Sequence, residues 1–259
     1  MPLAVIRRLL PDFGTTYGPP SDGPFPAVLI LHGSEGAFSG WSHRTAAILV
    51  ASGYLAYPHG YSKGGNAWNA GSIEDVELTR TVDALASLRD FSACDGRIAI
   101  YGVSRGAEHA LLVASMMARH GLAPLPDAVA CLAAPDAVCG AFDARSYRDP
   151  GDPGWQAWDA ARRAWLWNGT SNGLLPTSPI PVEAYPGPLF LAAGLDDRTW
   201  SPEMTRRLET RRKDASLPVE AHYYQGEGHL PGSDGENNHH SLLLNFLDHS
   251  LASQPQPQP

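Results

Sequence analysis

Short apolar runs, each closed by glycine, proline or a polar cluster, alternate along this chain with amphipathic stretches of helical period. Pro26-Ala27-Val28-Leu29-Ile30-Leu31-His32 reads as a strand buried on both faces of a sheet. Similar runs cover Tyr54–Tyr57, Arg97–Val103, Ala128–Ala133, Pro188–Ala193 and Val219–Tyr224, and Leu3–Leu10 reads as an edge strand. Between them, Trp41–Ala51 is helical, with Gly53 as its stop. Ser72 is expected to cap a helix that has Asp75 in its first turn and packs Leu78, Val82, Leu85 and Leu88 on the sheet. A further helix runs from the Ser104 turn to about His120, with Gly121 as its C-cap. Ser201-Pro202 opens another, and Leu243, Leu244, Phe246 and Leu247 belong to a closing helix. Strands alternating with helices predict an α/β fold: a mostly parallel central sheet covered by helices on both faces.

The alternation breaks between about residues 136 and 185, a segment rich in proline, glycine and tryptophan. Trp155, Trp158 and Trp165 share one face at helical spacing. Either they pack a helix against the domain, or they line an acyl or aromatic pocket in a small cap over the site. The expected organisation is one domain over 1–252, with this segment inserted between strands, and a disordered Gln-Pro tail over 253–259.

Composition narrows the function. A chain of 259 residues, 43% hydrophobic, suits one large domain. Its 27 acidic and 19 basic residues leave a net charge of -8, which argues against a broad grip on nucleic acid or an anionic membrane. Cys94, Cys131 and Cys139 fit neither a disulfide framework nor a zinc site. No apolar run approaches a membrane span, and Arg7-Arg8 is not followed by the apolar core of a signal peptide, so the cytoplasm is expected. Metal-binding motifs and phosphate-binding loops are missing as well, so no metal and no cofactor are expected. The oligomeric state stays open.

The chemistry centres on Gly102-Val103-Ser104-Arg105-Gly106, set between an apolar strand and a helix. Strand, tight turn and helix in that order expose a nucleophilic serine and aim a helix N-terminus at developing charge. A second Gly-x-Ser-x-Gly match, around Ser62, runs on into loop residues and lacks the helix. Serine needs a base, and the base an orienting acid. Asp197 and His229 each follow a strand beyond Ser104, in the chain order Ser, Asp, His; Asp196 is the alternative acid. His229 would take the serine proton and return it to the leaving group, while Asp197 would fix the imidazole tautomer. The strand ending at His32 runs into Gly33-Ser34-Glu35-Gly36, so the backbone N–H groups of Ser34 and Arg105 are the expected oxyanion donors. Glu35, Tyr61, Trp68 and Trp200 are candidate substrate-binding residues, each with a structural role as the competing explanation.

Gly-Val-Ser104-Arg-Gly, Gly194-Leu-Asp-Asp197-Arg-Thr-Trp200-Ser201 and Gly226-Glu-Gly-His229-Leu230 together resemble the C-terminal catalytic domain of acyl-CoA thioester hydrolases and bile acid-CoA:amino acid N-acyltransferases. Ile180-Pro-Val-Glu183 also looks like that family, and dienelactone hydrolase-like proteins are near relatives. The resemblance runs from about Ala27 to Asp248 and implies an α/β-hydrolase fold and a serine esterase or thioesterase acting on a small acyl ester or thioester. The amide-forming members use cysteine as nucleophile. Ser104 therefore favours hydrolysis over acyl transfer. Arg105 stands where the family usually has a lysine, and animal members carry an N-terminal β-domain for which this chain has no room. A non-catalytic binding protein of the same fold is the alternative from another class.

Overall fold

The computed structural model describes residues 4–37, 40–62, 71–143 and 158–252. The chain begins with β1 (Ile6–Leu10), β2 (Gly14–Gly18), β3 (Phe25–Leu31), α1 (Gly40–Ala51) and β4 (Leu55–His59). Two short strands, β5 (Ser72–Ile73) and β6 (Val76–Glu77), precede α2 (Thr79–Arg89), β7 (Cys94–Val103), α3 (Arg105–Arg119) and β8 (Ala128–Leu132). Then come β9 (Gly140–Asp143), β10 (Asp159–Arg163), β11 (Trp165–Leu166), β12 (Leu189–Gly194), α4 (Pro202–Asp214), β13 (Val219–Tyr224) and α5 (Ser233–Ser250).

Eight strands form one sheet in the order β1-β2-β4-β3-β7-β8-β12-β13. From β4 to β13 every neighbouring pair is parallel, while β1 and β2 make an antiparallel hairpin joined antiparallel to β4. Strand pleating sorts the apolar runs. In β3, Ala27, Leu29 and Leu31 join α2, α3 and Leu208 of α4 in one core, and Val28 and Ile30 join α1 and α5 in the other. All five of these β3 residues are 0% exposed, which is why the run carries no polar position. The helix after Ser104 is buried from Arg105 through Met117, because it has the sheet on one side and the segment after β8 on the other.

That segment departs from the expected helix. Its described part is extended: β9 and β10 build a small sheet with β5, and β11 pairs with β6. Trp165 and Trp167 are both buried while Leu166 between them is half-exposed, a period of two. Trp165, Trp167, Ile180 and Val182 pack in the core that includes α3. Trp158 packs against the opposite core, and Trp155 lies outside the described residues.

The same pairing corrects the helix expected to start at Ser72. Val76 N–H donates to Ala164 O and Leu78 N–H to Leu166 O, which holds Val76–Glu77 as a strand, while Ser72–Ile73 pair with β9; α2 begins only at Thr79. Asp75 takes a left-handed φ of 49°, which no helical first turn allows. The expected edge strand is β1, and β2 pairs with it as a hairpin that the apolar pattern did not announce.

Parallel register sets the site. Leu31 lies opposite Gly102, Val103 opposite Leu132, Leu132 opposite Ala192 and Gly194 opposite Tyr224. The loops holding Ser34, Ser104, Asp197 and His229 therefore leave one edge of the sheet, where open parallel sheets bind ligands.

Candidate active site

Ser104 sits between β7 and α3 with φ 54° and ψ −118°, a strained conformation for a residue with a Cβ. The turn is fixed from both sides. Ser104 N–H donates to Leu132 O at 2.9 Å, and Ser104 O accepts from Glu108 N–H at 3.1 Å. Gly106 explains how closely the helix can approach the sheet: a Cβ there would lie 2.2 Å from Leu31 O and 2.4 Å from His32 O. The same contact places the His32 loop directly against the serine turn.

His229 Nε2 lies 2.9 Å from Ser104 Oγ, and His229 Nδ1 lies 2.8 Å from Asp197 Oδ2. A carboxylate oxygen accepts only, so Nδ1 carries the proton and Nε2 accepts from the serine hydroxyl. Asp197 Oδ1 also accepts Thr199 N–H at 2.7 Å and Trp200 N–H at 2.9 Å. With three donors on it, this carboxylate has one orientation. The acid and histidine loops are tied together by Leu195 N–H to Tyr224 O and Asp196 N–H to Glu227 O, both 2.9 Å. Gly194 permits that approach, since a Cβ would come within 2.2 Å of Gly228 O. The Asp196 side chain is exposed, and the acid on the imidazole is Asp197.

The loop expected to supply the second oxyanion donor is braced by its own residues. Gly33 N–H donates to Glu35 Oε1 at 2.9 Å, and Tyr61 O–H donates to His32 O at 2.8 Å. His32 Nδ1, 2.7 Å from Gly33 O, is the protonated nitrogen, which leaves Nε2 to accept from Ser62 Oγ at 3.5 Å. Ser62 thus faces an imidazole whose other nitrogen is on a carbonyl and not on an acid. Ser34 is half-buried in this turn, and Arg105 opens α3.

The remaining candidates divide. Tyr61 stacks on His32 at 4.0 Å and packs against His109 and Trp165, so its ring is part of the core that braces the loop. Glu35 is exposed and Trp68 lies outside the described residues. Trp200 is only 4% exposed, and its Nε1–H donates to Ser104 Oγ at 3.1 Å. Trp200 is a candidate by sequence, but this bond carries no local signal: the Asp197-x-x-Trp200 spacing suits a carboxylate capping its own turn and accounts only for the Trp200 backbone N–H on Asp197 Oδ1. The Arg105 guanidinium is buried behind the site. Its Nε is 3.2 Å from Glu108 Oε2, its Nη2 donates to Gly140 O, and it lies over the Trp165 ring. Next in the chain to His229, Leu230 helps Trp41, Tyr101, Leu132 and the Arg44–Glu236 ion pair line a cavity of about 300 Å³, which Ser104, Asp197 and His229 do not themselves line. Among the described residues no cluster of three or more His, Cys, Asp or Glu could hold a metal ion, and no helix is long and apolar enough to cross a membrane.

Other imidazoles are structural. His59 lies between Tyr57 OH and Thr81 Oγ1, Thr81 Oγ1 accepts from His109 Nε2, and His239 bridges the hydroxyls of Tyr101 and Tyr224. Burial lowers His32 to about 4 and His59 and His239 to about 3. Unfolded, each titrates near 6.5, so below that pH the unfolded chain binds protons that the folded one refuses. Their contribution to stability is complete above about pH 6.5 and is lost, at up to about 1.4 kcal/mol per group per pH unit, as pH falls toward the folded values. Urea unfolding at pH 7, 6 and 5 is expected to show a falling midpoint with an unchanged m-value.

No family model matches the chain. The mouse (Mus musculus) protein acyl-coenzyme A thioesterase 6 is 26% identical over 227 residues, covering 83% of this chain and 51% of the relative. The chain therefore spans about half the length of the curated relative it matches. Among solved structures, an α/β hydrolase enzyme from a Medee basin deep-sea metagenome library gives a TM-score of 0.61 at 17% identity, covering 97% of this chain and 99% of that one. A dienelactone hydrolase-like promiscuous phosphotriesterase from metagenomic libraries gives 0.61 at 14% identity, with the same two coverages, 97% and 99%. Sheet order, parallel register, helices on both faces and these likenesses agree: the chain has the α/β-hydrolase fold.

Proposed function

We propose that this protein is a serine hydrolase that cleaves a carboxylic ester or thioester through an acyl-Ser104 intermediate. The observation that carries the reading is the unbroken hydrogen-bond line from Ser104 Oγ through His229 to Asp197. Each bond in that line has the polarity that general-base activation of a hydroxyl requires. Ser104 attacks the carbonyl carbon while its proton passes to His229 Nε2. The tetrahedral oxyanion is received by the backbone N–H groups of Ser34 and Arg105, fixed before reaction by the braced loop and the helix start. Collapse expels the alcohol or thiol, which takes the proton from His229, and water then repeats the sequence on the acyl-enzyme. The cavity at Leu230, with Arg44, Glu236 and His240 among its lining beside Trp41 and Leu132, is the candidate for one arm of a substrate of mixed polarity; its size falls at the small end of ligand pockets.

The thioester side of the proposal is supported by the sequence likeness to a protein named as an acyl-coenzyme A thioesterase. The burial of Arg105 removes one candidate contact for a nucleotide phosphate, which favours simple acyl esters within the same mechanism. Two measurements test the proposal. A fluorophosphonate probe is expected to add one mass to the intact chain, and that mass is expected to map to Ser104. Initial rates on an acyl-CoA panel and on short p-nitrophenyl esters then identify the leaving group. A folded protein that takes no label at Ser104 and turns over neither panel contradicts the reading and favours a binding protein of this fold.

A further inference from the structure

The Trp200 indole adds to Ser104 a hydrogen bond that proton transfer to His229 does not require. Indole Nε1–H is a donor only, so the 3.1 Å contact has one direction. Ser104 Oγ gives its proton to His229 Nε2, accepts from Trp200, and keeps one lone pair for attack. The indole is held for this: Trp200 is 4% exposed, and its own backbone N–H is fixed on Asp197 Oδ1 at 2.9 Å. We propose that the Trp200 N–H stabilises the free serine hydroxyl relative to the acylated serine and so biases the enzyme toward release of the acyl group. The proposal rests on the serine-hydrolase reading and deepens it.

The chemistry gives the direction. When Ser104 Oγ bonds to the carbonyl carbon, its proton moves to His229 and later leaves with the alcohol or thiol. Oγ is then an ester oxygen, its lone pair delocalised into the carbonyl, and it accepts the indole N–H poorly. In the second half, water bonds to the carbonyl carbon and gives a proton to His229. The carbon–Oγ bond breaks, the electron pair returns to Oγ, and His229 returns the proton. Charge builds on Oγ as it departs, next to a donor already aimed at it. The bond is made in the hydroxyl state, lost in the acyl state and regained during deacylation. Removing it therefore raises the ratio of the acylation to the deacylation rate constant. A hydrogen bond of ordinary net strength corresponds to about a 2- to 12-fold change in that ratio.

Trp200→Phe keeps an aromatic ring and removes the donor. Because the smaller ring can disturb packing, a second variant carries benzothienylalanine at position 200, which keeps the bicyclic shape with sulfur in place of N–H. The readout is the fraction of chain carrying the acyl mass when a saturating p-nitrophenyl ester reaction is quenched in acid, which reports the ratio of the two rate constants directly. Both variants are expected to raise that ratio 2- to 12-fold, with the mass on Ser104. An unchanged ratio, or two rate constants that fall by the same factor as a merely structural residue would produce, overturns the proposal. Wild type and Ser104→Ala separate the two levels. Ser104-dependent turnover together with an unmoved ratio sinks only the indole's role, whereas wild-type turnover that Ser104→Ala retains in full sinks both readings.

Discussion

Ser104→Ala is expected to lower ester turnover on the order of 10⁴-fold or more while leaving the fold intact. The loss is large because, in the proposed mechanism, the hydroxyl oxygen forms the covalent intermediate; what would remain is water attack assisted by His229 and the proposed oxyanion donors. The fold should hold because alanine keeps the Cβ that the φ of 54° already accommodates, and the strand and helix bonds around position 104 are main-chain. His229 Nε2 and Trp200 Nε1 lose a partner, but the histidine side is 24% exposed and water can replace the oxygen there. Initial rates at saturating ester, with urea midpoints measured in parallel, distinguish loss of chemistry from loss of structure. The double variant Ser104→Ala/His229→Ala should be little worse than either single change, because the two groups act as a unit. A Ser104→Ala enzyme with undiminished turnover would contradict the proposed mechanism.

The parts of the fold legible in the sequence were those written by local rules. Buried parallel strands announce themselves as uninterrupted apolar runs, and β3, β8, β12 and β13 lie within a residue or two of where those runs put them. Ser201-Pro202 opens α4 as its cap and first-turn proline require. Candidate site residues that follow directly from strand ends were equally readable, since parallel register carries Ser104, Asp197 and His229 to one edge. What could not be read depends on partners distant in the chain. Ser72 looks like a helix cap until residues 72–77 pair with strands roughly 70 to 90 positions later. Trp155, Trp158 and Trp165 match a helical face, whereas the run Trp165-Leu166-Trp167 is apolar throughout and gives no sign of the strand that pairing with β6 makes of it. Arg105 and Glu108, two charges in the first turn of a helix, would ordinarily be placed in solvent; they are buried because the segment after β8 covers the outer face of α3.

That buried pair carries the second large effect. Glu108 is 0% exposed; its Oε1 accepts Cys139 N–H at 2.7 Å and Trp165 Nε1–H at 2.6 Å, and its Oε2 faces Arg105 Nε. Burial pushes the Glu108 carboxyl up, against the pull of the Arg105 guanidinium and of the two donors. Glu108→Ala removes the counter-charge and leaves two N–H groups unmet, so the buried Arg105 cation stands alone against the Trp165 ring and Gly140 O. The expected cost is about 3–5 kcal/mol, read as a lower urea midpoint at unchanged m. Because Arg105 also carries a proposed oxyanion N–H at the start of α3, kcat should fall with stability, while KM for a small ester moves little. Arg105→Met/Glu108→Met should behave differently: with both charges gone and the volume largely kept, only the hydrogen bonds of Cys139, Trp165 and Gly140 are lost. The double variant is therefore expected to be more stable than Glu108→Ala despite carrying one more substitution; with Arg105→Met and Glu108→Met as the single variants, a thermodynamic cycle measures the non-additivity directly. If the double change costs as much as the sum of the singles, the two charges are not each other's reason for being buried, and the network's role in holding the start of α3 beneath Ser104 must be abandoned.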